Sequence, residues 1–136
     1  VVDENERIVR TVDRLLISST NISVDETFNM VNEKGGLVIP SHVDRPVNSI
    51  ISQLGFIPPN LPVEAVEVSV NCAIDDLIRE NPEVARLSTV RFSDAHYLDE
   101  IGRQTTDFLL ESPTVSELKM AFTETEGRKV INSRYY

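Results

Sequence analysis

His42 and His96 are the only two histidines in a chain of 136 residues. Each lies just beyond an apolar, β-branched run that reads as a buried strand, Leu37-Val38-Ile39-Pro40 before His42 and Thr89-Val90-Arg91-Phe92 before His96. Asp94 stands two positions before His96. If the backbone stays extended past Phe92, the two side chains point the same way, and a carboxylate oxygen and an imidazole nitrogen there could share a divalent metal. Arg45, three residues beyond His42, carries a planar fork suited to clamping a phosphate as substrate. The placement of both histidines matters because active sites in parallel α/β folds are assembled at the C-terminal ends of the strands.

Each of these residues also has a plainer reading. A histidine after a strand can simply hydrogen-bond a turn, and Asp94 can cap the turn that starts at Ala95. Arg45 can pair with Asp44 or with a carboxylate of a neighbouring helix. Asp99 and Glu100 could fix an imidazole tautomer or merely solvate a helical turn, and Asp75 and Asp76 suit the negative first turn of a helix. Cys72 is the only cysteine, which excludes an internal disulfide and fits a small buried residue.

The elements that must position these groups alternate. Ile8, Val12, Leu15 and Leu16 recur at helical spacing, predicting a helix over 3–18. Ser23-Val24-Asp25-Glu26 is a capping-box pattern opening a second helix, with Val24, Phe28 and Val31 on one face and Gly35-Gly36 as its stop. The strand 37–40 follows, then a short helix over 47–54 closed by Gly55. Three prolines between Phe56 and Pro62 exclude regular structure and predict an ordered apolar loop. A strand over 65–70, a helix over 73–80, a turn at Asn81-Pro82, the strand 89–92, a short turn over 97–101 and a strand over 105–110 come next. A helix then opens near Pro113-Thr114, and 128–136 forms a last strand or tail. Strands alternating with helices predict an α/β fold with a parallel sheet.

The totals set further bounds. The chain is large enough for a core yet shorter than the ~250 residues of a complete β/α barrel. A net charge of −9 with no cluster of Lys or Arg argues for no nucleic-acid and no membrane partner. No apolar run approaches the ~18 residues of a span. The N-terminus lacks a signal-peptide pattern, so a cytoplasmic location is expected, and without a methionine the native chain is expected to begin earlier.

The segments Gly35–Pro46, Leu54–Pro59, Val66–Ser69 and Phe92–Gly102, with Ser-Asp-Ala-His at 93–96, resemble the polymerase-and-histidinol-phosphatase (PHP) domain family, nearest its bacterial metal-dependent phosphoesterases. The resemblance covers most of residues 20 to 130. It implies a distorted seven-stranded β/α barrel holding several divalent metals, commonly zinc, manganese or iron, that hydrolyses phosphate esters through a metal-activated water. By motif match, His42 takes the place of a histidine ligand, and Asp94 and His96 those of an Asp-x-His pair. The family's early His-x-His motif has no counterpart anywhere in the chain. The expectation is therefore a single partial domain over 1–136, the C-terminal part of the barrel, with an incomplete metal set and little activity alone. Its missing N-terminal half, or a second copy, would cover the exposed sheet edges. The competing reading is a non-catalytic α/β interaction module with structural histidines.

Overall fold

The computed structural model describes residues 1–14 and 19–135, with side chains to Ile131. Its first helix, α1 (Val24–Glu33), forms where a capping box can start it. Ser23 Oγ accepts from the Glu26 amide at 3.2 Å, and Glu26 Oε2 accepts from the Ser23 amide at 2.8 Å. That second bond, with one from the Ser23 hydroxyl, holds the Glu26 carboxyl below the usual range. Phe28 is the buried residue of the helix. Gly35 leaves it at a φ of +72°, and Gly36 packs so closely that a Cβ there would stand 2.6 Å from Val31 Cγ1.

The central element is β1 (Ala65–Glu67), three residues all buried. It pairs in parallel with β2 (Ser88–Val90), Val66 opposite Thr89 and Glu67 opposite Val90, and the Val68 amide extends the ladder to Val90 O. On its other edge the Glu67 amide donates to Pro40 O, and Glu67 O accepts from the Val43 amide, both at 2.9 Å. A regular parallel ladder has one residue between such an acceptor and donor, whereas here there are two. The extra step falls at Ser41-His42, where His42 has a φ of +42°. Residues 37–40 are thus extended beside β1 without forming the regular strand expected there.

α2 (Ile50–Leu54) is shorter than the predicted 47–54 helix, because Asn48 at φ +58° interrupts the entry and Ser49 caps the remainder with Ser52. The proline-rich loop does pack inward, burying Ile57 and Leu61. α3 (Ile74–Glu80) and a 3₁₀ turn over 82–86 connect β1 to β2. Val66 and Val68 meet Phe28, Val43, Ile57 and Leu77 on one side, while Ala65 meets Val90 and Phe122 on the other.

The second half departs from a single parallel sheet. β3 (Gln104–Leu109) and β4 (Lys129–Tyr135) pair antiparallel, with an irregularity at Asp107/Phe108. Between them α4 (Val115–Phe122), capped by Thr114, leads into Glu124, Glu126 and Gly127, all at positive φ. Three left-handed residues within four turn the chain back on itself, so the strand returns beside β3 in reverse. The architecture is mixed α/β, with one parallel pair and one antiparallel pair among the described residues.

The predicted N-terminal helix is absent from the described part of 3–18. Val2 and Ile8 form an antiparallel bridge, and Asp3 Oδ1 accepts from the amides of Asn5 and Arg7, a local bond that competes with the helical pattern. Ile8 is exposed, and Leu15 and Leu16 lie outside the described residues. No helix among the described residues is long and apolar enough to cross a membrane.

α4 is tied to β4 by a bidentate pair, Arg128 Nε to Glu117 Oε2 at 2.9 Å and Nη2 to Oε1 at 3.1 Å, with the Glu111 amide also donating to Glu117. Arg128 first, then that amide, pulls the Glu117 carboxyl below its ordinary range. Because the folded value is depressed, the contribution is complete above the unfolded value of ~4.3 and is lost as pH falls through the folded one. Urea midpoints should therefore fall between neutral pH and about pH 3, and Glu117→Gln should flatten that fall. Gly36→Ala should cost about 1–3 kcal/mol in the same titration at neutral pH, since Val31 on the helix side has to give way.

Candidate active site

Beyond the C-terminal ends of β1 and β2 the chain closes around a cleft of about 390 Å³ lined by His42, Arg45, Glu67, Asp94, His96 and Glu100, among others. Each element delivers its residue by a break in regular structure. The extra step beside β1 turns the His42 ring inward, where its side chain is 17% exposed. Nε2 stands 3.0 Å from Asp94 Oδ2, and Nδ1 stands 3.5 Å from Glu67 Oε1. Arg45 Nη2 approaches the same Asp94 oxygen at 3.6 Å from a half-exposed position. Its sequence neighbour Asp44 is engaged elsewhere, accepting from the Ser69 amide at 2.8 Å.

Asp94 and His96 do not project from one extended face. Asp94 has a φ of +48°, so the strand ends before it. Its carboxylate goes to His42, and its carbonyl oxygen lies 2.8 Å from His96 Nδ1. A carbonyl can only accept, so Nδ1 of His96 carries the proton and Nε2 the lone pair. Two bonds pin this loop: Ser93 Oγ donates to Gln104 O and accepts from the Gly102 amide. Glu100 Oε2 accepts from the amides of His96 at 2.8 Å and Tyr97 at 3.2 Å, which holds its carboxyl below the usual range. Glu100 therefore fixes the backbone of His96, while Asp99 pairs with Arg103.

Glu67 was the residue sequence reasoning passed over. Its side chain is 8% exposed, at the end of a strand buried on both faces. The signal available was an acid between Val66 and Val68 in a run apolar enough for a central strand, where a carboxylate facing out has no water to face. Arg91 also escaped notice; its guanidinium donates to Ser69 O at 3.3 Å and Cys72 O at 3.0 Å, joining the loops after β1 and β2. Cys72 is half-buried against the core, and burial first, then Asp44, pushes its thiol pKa up. A raised value makes it a poor nucleophile.

Imidazole nitrogen and carboxylate oxygen are the right donor chemistry for a divalent cation. The 3.0 Å between His42 Nε2 and Asp94 Oδ2 is about the spacing of two adjacent ligands each ~2.1 Å from one ion at right angles. That pair fits as two corners of a coordination shell. Among the described residues no three His, Cys, Asp or Glu donors converge on one point, so the pair is not a complete site.

No family model matches the chain. It is 30% identical over 110 residues to the uncharacterized protein YqxK of Bacillus subtilis (strain 168), a match that covers 74% of this chain and 27% of that protein. Among solved structures, it is similar to the lesion-specific endonuclease PfuEndoQ from Pyrococcus furiosus, with a TM-score of 0.65 at 22% identity over 80% of this chain and 28% of that one. It is also similar to Endonuclease Q in complex with a 27-mer duplex bearing an abasic lesion at the active site, with a TM-score of 0.61 at 21% identity over 83% of this chain and 30% of that one. The chain thus spans between a quarter and a third of the length of these proteins. The expectation of no nucleic-acid partner is corrected here, because a protein of this fold has been solved holding duplex DNA. Net charge summed over a chain is a poor guide to nucleic-acid binding, which depends on how charge is distributed locally. The fold is the mixed α/β arrangement shared with this part of Endonuclease Q.

Proposed function

We propose that the chain is part of a PHP-type metal-dependent phosphoesterase that hydrolyses phosphodiesters of nucleic acid. The observation that carries the reading is the His42–Asp94 contact, with Arg45 on the same carboxylate and His96 on the same loop, at the ends of two parallel strands. In this reading His42, Asp94 and His96 hold divalent metal together with donors this chain does not supply, and His96 offers Nε2 because Asp94 O occupies its Nδ1 side. Bound metal would supply an acidified water and neutralise phosphoryl charge. Arg45 binds and orients a phosphoryl oxygen, its half-exposed fork being able to leave Asp94 for a substrate anion. Glu100 holds the His96 backbone in place. The similarity to Endonuclease Q supports phosphodiester substrates over small monoesters.

The test uses the longest native protein that contains this chain, assayed with manganese on duplex DNA carrying an abasic site and, separately, on p-nitrophenyl phosphate. Asp94→Asn and His42→Ala should each lower kcat/KM on DNA by about 100-fold or more. Arg45→Ala should raise KM by roughly 10–100-fold, the worth of a charge-assisted hydrogen bond. Unchanged DNA cleavage in the first two variants would return both residues to turn positions and favour a non-catalytic module. Cleavage of the monoester alone would retain the phosphoesterase and reject the nucleic-acid substrate.

A further inference from the structure

We infer that Glu67 is a positioning residue for His42, setting which of its ring nitrogens faces the cleft; the inference rests on the reading of His42 as a metal ligand. Glu67 encloses His42 with its main chain as well as its side chain. Its amide bonds Pro40 O, its carbonyl accepts from the Val43 amide, and its carboxylate reaches Nδ1 at 3.5 Å. The backbone bonds on both sides of His42 thus run to the same residue that faces its ring.

The neutral imidazole has one proton and two carboxylates beside it, Glu67 at Nδ1 and Asp94 at Nε2. The two differ in what else can satisfy them. Asp94 is 43% exposed and has Arg45 within reach, whereas the Glu67 side chain is 8% exposed. A buried carboxylate loses more than a solvated one when its donor is taken away. Glu67 therefore keeps the proton on Nδ1, and the lone pair stays on Nε2, pointing at Asp94 and the cleft. A nitrogen lone pair and a carboxylate oxygen 3.0 Å apart repel one another until a cation lies between them. The same proton placement that Asp94 O imposes on His96 is thus imposed on His42 by a side chain, so both rings offer Nε2 to one space. Such outer carboxylate partners typically change metal affinity by roughly 10–100-fold when removed.

The experiment is long-range ¹⁵N–¹H correlation NMR on the ¹⁵N-histidine-labelled chain at about pH 9, well above the ordinary imidazole range. His42 should show the Nδ1–H tautomer, as should His96, the internal control. Glu67→Gln, whose amide oxygen can still accept, should keep it; Glu67→Val should move His42 to Nε2–H and leave His96 unchanged. Zinc should then perturb the Nε2 resonance of His42, with an affinity 10–100-fold lower in the valine variant. An Nε2–H tautomer of His42 in the unsubstituted chain overturns the inference, and that result does not depend on either variant folding. If the tautomer follows Glu67 while zinc never perturbs His42, the positioning stands and the metal reading of the site fails.

Discussion

The rest of the structure depends on the burial of β1 on both faces and both edges. Three residues, Ala65 to Glu67, carry parallel pairing to β2 on one side and the irregular pairing to 40–43 on the other, and the two halves of the core meet across them. A strand so enclosed has no water for its amides and carbonyls, so each partner segment is fixed in register by the need to satisfy them. That requirement reaches the cleft directly. The last residue of the strand bonds the backbone on both sides of His42, and the next, Val68, bonds Val90 just before the loop that carries Asp94. Stability of the core and geometry of the cleft are therefore the same set of hydrogen bonds.

The two residues that meet at the cleft share a backbone feature. His42 and Asp94 both lie in the left-handed region, where a non-glycine residue is held at a cost of order 1–3 kcal/mol. Neither would stay there alone. His42 is held by the paired bonds to Glu67, and Asp94 by the Ser93 hydroxyl and the His96 ring on its two sides. Such conformations persist where the surroundings over-determine them, and they turn each side chain out of the strand direction, toward the other.

Local signals were legible in the sequence, and long-range ones were not. The capping box at Ser23 and the Thr114 side-chain cap start helices where the pattern placed them, because the bonds involved span three residues. Gly35 and Gly55 stop helices for the same local reason. The apolar run at 37–40 was legible as extended, but its failure to form a ladder depends on one surplus residue facing Glu67, which no periodicity reports. The antiparallel return of β4 depends on Glu124 and Glu126 at positive φ, a conformation glutamate does not advertise. At the cleft, the strand-end positions of His42 and His96 could be read, and the structure brings both to one place with Asp94 and Arg45. Their mutual arrangement could not, since like-facing side chains at Asp94 and His96 require extended backbone that Asp94 leaves at φ +48°. Glu67 was hidden because an acid within a strand is ordinarily placed on a solvent face, and only the second buried face of β1 makes it an interior acid.

Charge at the cleft constrains how an anionic substrate can be received. Glu67, Asp94 and Glu100 line it against Arg45 and Arg103, and Arg103 is already paired with Asp99. A phosphodiester entering this space as it stands meets more carboxylate than free guanidinium, and at an effective dielectric near 20 each unit-charge contact at 4 Å is worth about 4 kcal/mol. The single charge of Arg45 would be shared between Asp94 and any phosphoryl oxygen it also contacted. Under the proposed function, cations held by His42, Asp94 and His96 would offset these carboxylates and leave Arg45 to a phosphoryl oxygen. On that reading the overall acidity of the chain is compatible with a nucleic-acid substrate.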